Sequence, residues 1–181
     1  EVKPTRELAI HSGMVHGELQ GLRTKDPTFG LDAVWIDPAQ RDYARSLGYT
    51  VVDASTTIAT HLNKILQDQS HLLLGHDETQ QLVDKLAAAA PKLVEELVPK
   101  KLPIGTLTQV LQGLLAEGVA IRDLRGVLAA LAPIVEKVQD VEELTGVARI
   151  ALGRMIVQQY VAHGEELNVM TLAPELEQVL H

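Results

Sequence analysis

The sequence predicts an α+β protein that is mostly helical, with a small β-containing subdomain followed by an all-helical subdomain. Short β-branched or aromatic runs separated by turn residues occupy residues 2–53, whereas residues 75–163 show one amphipathic helical pattern after another. The 181 residues are 46% hydrophobic but only 3% aromatic. An apolar content made of Ala, Leu and Val favours helices packed on helices.

The stretch from Tyr49 to Leu66 predicts a strand that leads directly into a helix. Its first four residues are aromatic or β-branched, and Asp53 follows as a short acceptor that can cap a new helix. Apolar residues then recur at i, i+4, i+7 and i+8, namely Ile58, Leu62, Ile65 and Leu66. We expect this face to pack on the core. The stretch contains no glycine, so an ordinary capped β–α unit is favoured over a phosphate-binding turn.

The residues before this stretch predict short strands, a loop and a helix. The predicted strands are Glu7–Ile10, Met14–Leu19 and Ala33–Ile36, the loop is Gly21–Gly30, and the helix runs from Pro38 to Leu47.

Glycine, proline and capping residues set the predicted boundaries beyond this point. One long helix runs from Ala54 and is ended by Gly75. Further helices are predicted to start near Asp77, Pro91, Thr106, Asp123 and Asp140, and the last one extends to Tyr160. Residues Leu167–Leu172 then return to strand character.

Composition excludes several classes of function. The net charge of −8 and a pI near 5.3 argue against a surface for nucleic acid or anionic membrane. The chain has no cysteine, which excludes disulfides and thiolate catalysis. No apolar run approaches the roughly 18 to 20 residues of a membrane helix.

The sequence shows no arrangement that calls for catalysis, a cofactor or a metal. The seven histidines are scattered, and His71 and His76 straddle Gly75, where a helix should end. Adjacent carboxylates such as Glu95 and Glu96 point in different directions on a helix. We therefore predict a protein that is not an enzyme and that holds no cofactor.

Five blocks of the sequence resemble successive segments of one protein family. They are DPTFGLDAVWI, GYTVVDASTTIATHL, LLGHDETQQLVDKL, LPIGTLTQVLQGLLAEGVAIRDLRGVLAAL and ELTGVARIALGRMI. The family is that of the flagellar and type III secretion export gate, known as FHIPEP. The likeness is greatest to its flagellar branch and runs in unbroken order from about Pro4 to Leu180.

The resemblance implies a parent protein of the bacterial inner membrane whose N-terminal half, absent here, is transmembrane. This chain would belong to the half on the cytoplasmic face, which forms a nonameric ring in the family. By similarity, residues 1–53 are the second cytoplasmic subdomain and 54–73 a helix of the first. Residues 74–153 would be the helical third subdomain, and 154–181 the start of a truncated fourth.

The resemblance also implies a docking site for export chaperone–substrate complexes and other export-apparatus proteins. The matching positions are Asp26, Phe29 and Thr60. The sequence agrees for Phe29, because the only phenylalanine lies in a Pro/Gly loop, where an aromatic side chain is often an interface anchor. We expect Asp26 on the rim of an apolar depression, and Thr60 off the core face of its helix. The alternative is a structural ring subunit of a virulence type III export gate, with no chaperone site of its own.

Overall fold

A computed structural model describes residues 2–161, 164–171 and 173. The chain divides into two compact units, residues Glu1–Leu73 and Leu74–His181. The first contains a sheet with short helices and the second is helical, which confirms the predicted α+β, mostly helical fold.

A four-stranded antiparallel sheet forms the centre of the first unit. The strands are β1 (Glu7–Ile10), β2 (Leu22–Lys25), β3 (Asp32–Ile36) and β4 (Thr50–Asp53), in the spatial order β2-β3-β1-β4. A 3-10 turn (Pro38–Gln40) precedes α1 (Arg41–Ser46), and β4 leads into α2 (Ala54–Asp68) and α3 (Ser70–Leu73).

The sheet has a small core on each of its two faces. One core joins α1 to the sheet and contains Ala9, Leu19, Val34, Ile36, Ala44 and Tyr49. The other contains Leu8, Ala33, Trp35 and Ala54, the first residue of α2. Glu7 and Arg41 also tie α1 to the sheet by a two-pronged ion pair, with 2.8 Å between Arg41 Nε and Glu7 Oε2.

Helix α2 begins as the sequence predicts but buries a different face. Asp53 caps it, and its carboxylate accepts the N–H of Thr56 at 2.7 Å. The buried residues of α2 are Ala54 and Thr57, whereas Ile58 and Leu62 are 52% and 53% exposed. The expectation that the apolar stripe packs on the core is therefore wrong in this chain. Both buried residues of α2 lie in its first turn, and the rest of the helix has no buried residue, so the sheet covers only the start of α2.

Six helices make up the described part of the second unit. They are α4 (His76–Ala89), α5 (Pro91–Leu97), α6 (Ile104–Ala116), α7 (Leu124–Leu131), α8 (Val141–Ala151) and α9 (Gly153–Tyr160). One continuous core joins them, and its fully buried side chains include Leu107, Leu111, Leu114, Leu128, Leu131 and Leu144. The predicted helical bundle is thus confirmed for the residues that the structure describes.

Several predicted boundaries are wrong. Met14–Leu19 is irregular because its backbone bonds elsewhere: His16 N–H donates to the carbonyl of Leu47, and Gly17 O accepts the hydroxyl of Tyr49. Strand β2 lies inside the predicted loop, where pairing with β3 overrides a weak local pattern.

Two further differences concern longer segments. The predicted helix over residues 54–73 is broken at Gln69, and the one ending at Tyr160 is broken at Leu152. Residues 167–171 form no strand, and Leu172 lies outside the described residues. Across the part of the chain that the structure describes, no helix is both long enough and apolar enough to cross a membrane.

Candidate functional site

The loop from Asp26 to Leu31 connects β2 to β3 and carries two of the three predicted site residues. Asp26 is only 4% exposed, and its Oδ2 accepts the backbone N–H of Phe29 at 2.7 Å. The expectation that Asp26 lies on the rim is therefore wrong. Its carboxylate is enclosed by the loop because it satisfies an amide there, which is a role that Asp side chains often have in turns.

Phe29 points away from any core. Its side chain is 67% exposed, and its neighbour Leu31 is 38% exposed. A single exposed apolar side chain is ordinary, but aromatic residues are enriched at protein interfaces. The structure thus keeps Phe29 available for a partner.

Thr60 lies on the exposed part of α2, as expected, but for a different reason. The helical spacing predicts that Thr60 leaves the core face when Ile58 occupies it, but Ile58 is itself half exposed. Both residues therefore lie on the exposed surface of α2, which is partly apolar and partly polar there.

A cavity of about 370 Å³ lies between the loop and α2. Its walls include Pro27, which follows Asp26, and Ile58 and His61, which flank Thr60. Trp35 is also among the lining residues, and the buried Nδ1 of His61 has no hydrogen-bond partner. The sequence neighbours of Asp26 and of Thr60 therefore share one largely apolar depression, while Asp26 and Phe29 are joined directly by a hydrogen bond.

The strand ends beside this loop carry an exposed ion pair. Lys25 Nζ lies 3.0 Å from Asp32 Oδ1 and 3.3 Å from the carbonyl oxygen of Gly30. The ammonium group of Lys25 lowers the pKa of Asp32, through a hydrogen bond and then through its charge. Sequence reasoning missed Lys25, because LRTK has no clear strand pattern and the register that places Lys25 opposite Asp32 is not encoded locally.

A second cavity, of about 530 Å³, also escaped sequence reasoning. It is lined by residues of the irregular segment and of the sheet, among them His11, Glu18, Arg23, Asp32 and Tyr49. Arg23 pairs with Glu18 at 3.1 Å, and the rings of His11 and Tyr49 meet edge to face. The charged groups of its lining are thus already paired, Arg23 with Glu18 and Asp32 with Lys25.

Metal ligation finds no support in the described ranges, 2–161, 164–171 and 173. No group of three or more His, Asp or Glu side chains within them is arranged to hold a metal ion. That the chain binds no metal and no cofactor stays a prediction.

Comparison with known proteins gives one family. The model of the FHIPEP family matches residues 1–181. The flagellar biosynthesis protein FlhA of Salmonella typhimurium is 48% identical over 177 residues, which is 98% of this chain and 26% of that protein. FlhA of Bacillus subtilis is 38% identical over 162 residues, or 90% of this chain and 24% of the relative. The chain therefore spans about a quarter of the length of the curated relatives it matches.

Solved structures share the fold. The Chlamydia pneumoniae CdsV protein has a TM-score of 0.76 at 22% identity, covering 98% of this chain and 51% of that one. The cytosolic domain of EscV from a type III secretion system, solved as a nonamer, has a TM-score of 0.64 at 26% identity over 92% of this chain and 50% of its own.

Proposed function

Since this chain belongs to the FHIPEP family, we propose that it is part of the flagellar-type protein export gate on the cytoplasmic face of the bacterial inner membrane. In this proposal it docks export chaperone–substrate complexes and other components of the export apparatus. Its similarity to FlhA proteins over nearly its whole length supports the flagellar assignment.

The observation that carries the docking proposal is the presentation of Phe29. The side chain is 67% exposed on a loop closed by its own hydrogen bonds, and Pro27 of the same loop lines a cavity that Ile58 of α2 also lines. Central aromatic anchors supply much of the affinity at protein interfaces, with neighbouring polar groups at the edge. Thr60, exposed on α2, would supply such an edge contact.

The exposed stripe of α2 supports the proposed subdomain division. Side chains at Leu62, Ile65 and Leu66 are 39% to 53% exposed, although their spacing is that of a buried face. We propose that residues 54–73 belong to the first cytoplasmic subdomain of the parent, which would cover this stripe. Residues 1–53, 74–153 and 154–181 then correspond to the second, third and fourth subdomains.

The parent protein would assemble as a ring. The nonameric EscV domain shares the fold, and a complex between CdsV and CdsO of Chlamydia pneumoniae has been solved, which supports both self-association and partners within an export apparatus. The structural alternative, a ring subunit without a chaperone site, predicts the same assembly. It differs in predicting that the chain has no measurable affinity for an export chaperone–substrate complex, with or without Phe29.

A titration with a matched aromatic control tests the docking proposal. A purified flagellar export chaperone bound to its substrate is titrated into the wild type, Phe29→Ala and Tyr43→Ala by calorimetry. Tyr43 lies on α1 and is 58% exposed, so it controls for the loss of an exposed aromatic side chain elsewhere in the same unit. We expect Phe29→Ala to weaken binding about thirtyfold, which is about 2 kcal/mol, and Tyr43→Ala to change it by less than about twofold. Unchanged affinity in a folded Phe29→Ala variant would reject chaperone docking at this surface.

The same protein allows the prediction of no catalysis to be tested. The proposal assigns binding alone, so the purified chain should not turn over ATP. Hydrolysis above the buffer rate that survives repeated purification would contradict it.

A further inference from the structure

The loop that presents Phe29 is closed by three hydrogen bonds centred on Asp26. The N–H of Asp26 donates to the carbonyl of Leu31 at 2.7 Å, and its own carbonyl accepts the N–H of Gly30 at 2.9 Å. Its side chain then accepts the N–H of Phe29 at 2.7 Å. Both backbone groups and one carboxylate oxygen of Asp26 are therefore used within the loop.

The far side of the loop is held as well. Gly30 has φ of +70°, the left-handed conformation that other residues adopt only with strain. A Cβ added to Gly30 would meet no atom within 4 Å, so a substitution there acts through the backbone alone. The exposed ammonium group of Lys25 donates a hydrogen bond to the carbonyl oxygen of Gly30, which stabilises the same turn.

Asp26 could act in docking through a direct charge contact with the partner or through the shape of the loop, and its burial distinguishes these two roles. A charged group that contacts a partner needs an open path to it, and Asp26 is 4% exposed while Phe29 is 67% exposed. A loop already ordered in its binding conformation loses less conformational freedom on association. The geometry therefore favours an effect of Asp26 on the shape of the loop over an electrostatic contact.

We infer that Asp26 is a positioning residue for docking: its carboxylate fixes the loop so that Phe29 projects into solvent in a single orientation. The partner then contacts Phe29 and does not interact with the charge of Asp26. The inference rests on the proposed docking function. It identifies the amide-accepting oxygen of residue 26, and not its negative charge, as the group that matters for affinity.

Asparagine at position 26 distinguishes the two roles. Its side-chain oxygen accepts the same N–H and suits the same turn, but it carries no charge. Alanine removes both the acceptor and the charge. We expect Asp26→Ala to weaken binding of the purified chaperone–substrate complex about tenfold, and Asp26→Asn to stay within about twofold of the wild type.

Three further measurements keep the test from depending on a single variant. Gly30→Ala leaves every charge in place and should weaken binding about fivefold, because it strains the loop. Amide exchange at Phe29, measured without any partner, should be faster in Asp26→Ala than in the wild type and unchanged in Asp26→Asn. If the charge of Asp26 contacted the partner, its loss in Asp26→Asn would weaken the dependence of affinity on salt. We expect the wild type and Asp26→Asn to show the same salt dependence.

The outcomes separate this inference from the proposed function. Asp26→Asn binding as weakly as Asp26→Ala, or a changed salt dependence in Asp26→Asn, would overturn the positioning role. Unaltered exchange at Phe29 in Asp26→Ala would do the same. Full affinity in Phe29→Ala would instead reject the docking proposal, while the exchange data would still decide whether Asp26 orders the loop.

Discussion

The two units of this chain bury their apolar residues in different ways. The described part of the second unit has one continuous core with several leucines that are fully buried. The first unit has two small cores on opposite faces of its sheet, and α2 leaves Leu62, Ile65 and Leu66 half exposed. Amphipathic spacing is equally clear in α2 and in the helices of the bundle. The spacing thus shows that a face is suited to burial, and only the fold shows which neighbour covers it.

The largest expected effect lies in the core of the second unit. Leu128 is fully buried in α7, so Leu128→Ala should lower the free energy of unfolding by about 2 to 5 kcal/mol, through lost burial and a residual cavity. We expect the thermal transition followed by circular dichroism to fall by roughly 10 °C or more.

The single tryptophan provides the control for this variant. Trp35 is 4% exposed in the sheet and reports on the first unit. Its fluorescence at 25 °C should be unchanged in Leu128→Ala. A shift of less than a few degrees in the transition would show that the bundle core tolerates the cavity, and the contrast between the units would then fail.

The elements that the sequence predicted correctly are those whose cause is local. Asp53 caps α2, and Asp123 and Asp140 cap α7 and α8, because a short acceptor next to an amphipathic run is a nearest-neighbour signal. Strand β2 was missed because its pairing with β3 is not encoded in LRTK itself. The exposure of Phe29 on its loop could be predicted, whereas the burial of Asp26 could not, because it depends on how the loop folds onto its own amides.

The next effect in size concerns the ion pair that ties α1 to the sheet. Glu7 is 5% exposed and Arg41 bonds it through two nitrogens, which lowers the pKa of Glu7. Glu7→Gln should therefore destabilise the first unit by about 1 to 3 kcal/mol at neutral pH, measured by urea denaturation with Trp35 fluorescence. The control is Glu18→Gln, because Glu18 forms an exposed pair with Arg23. This substitution should change the free energy of unfolding by less than about 0.5 kcal/mol.

The pH dependence of the same pair has a definite sign. Because folding depresses the pKa of Glu7, its contribution is fully present above the ordinary carboxyl pKa of about 4.3 and is lost as the pH falls through the lower folded value. The difference between wild type and Glu7→Gln should therefore shrink below about pH 4. A difference that stays constant from pH 7 to pH 3 would mean that the charge of Glu7 does not contribute.

A smaller effect is expected for the exposed pair in the second unit. Arg149 on α8 contacts Glu117 at the end of α6, with 2.6 Å from Nε to Oε2, and hydrogen bonding to Arg149 lowers the pKa of Glu117. Both side chains are more than two-fifths exposed, so solvent screens the pair. A double-mutant cycle with Glu117→Gln and Arg149→Met should give a coupling of about 1 kcal/mol or less, reduced further in 0.5 M salt. A coupling above about 2 kcal/mol would mean that this pair stabilises the fold as strongly as the pair of Glu7 and Arg41.

The smallest change in the free energy of unfolding is expected for a substitution on α2, and it tests the difference between the two units most directly. Leu62 is 53% exposed in this chain, so Leu62→Ala should change the free energy of unfolding by less than about 0.5 kcal/mol. If residues 54–73 belong to another subdomain of the parent, the same substitution in a longer chain that includes that subdomain should cost about 2 kcal/mol or more, because the side chain would then be buried. Thr57→Ala is the matched change on the covered side of the helix, and it should be equally destabilising in both chains, because Thr57 is already 3% exposed here. A large cost for Leu62→Ala in the present chain, or none in the longer one, would show that the stripe of α2 is not a face that the rest of the parent protein covers.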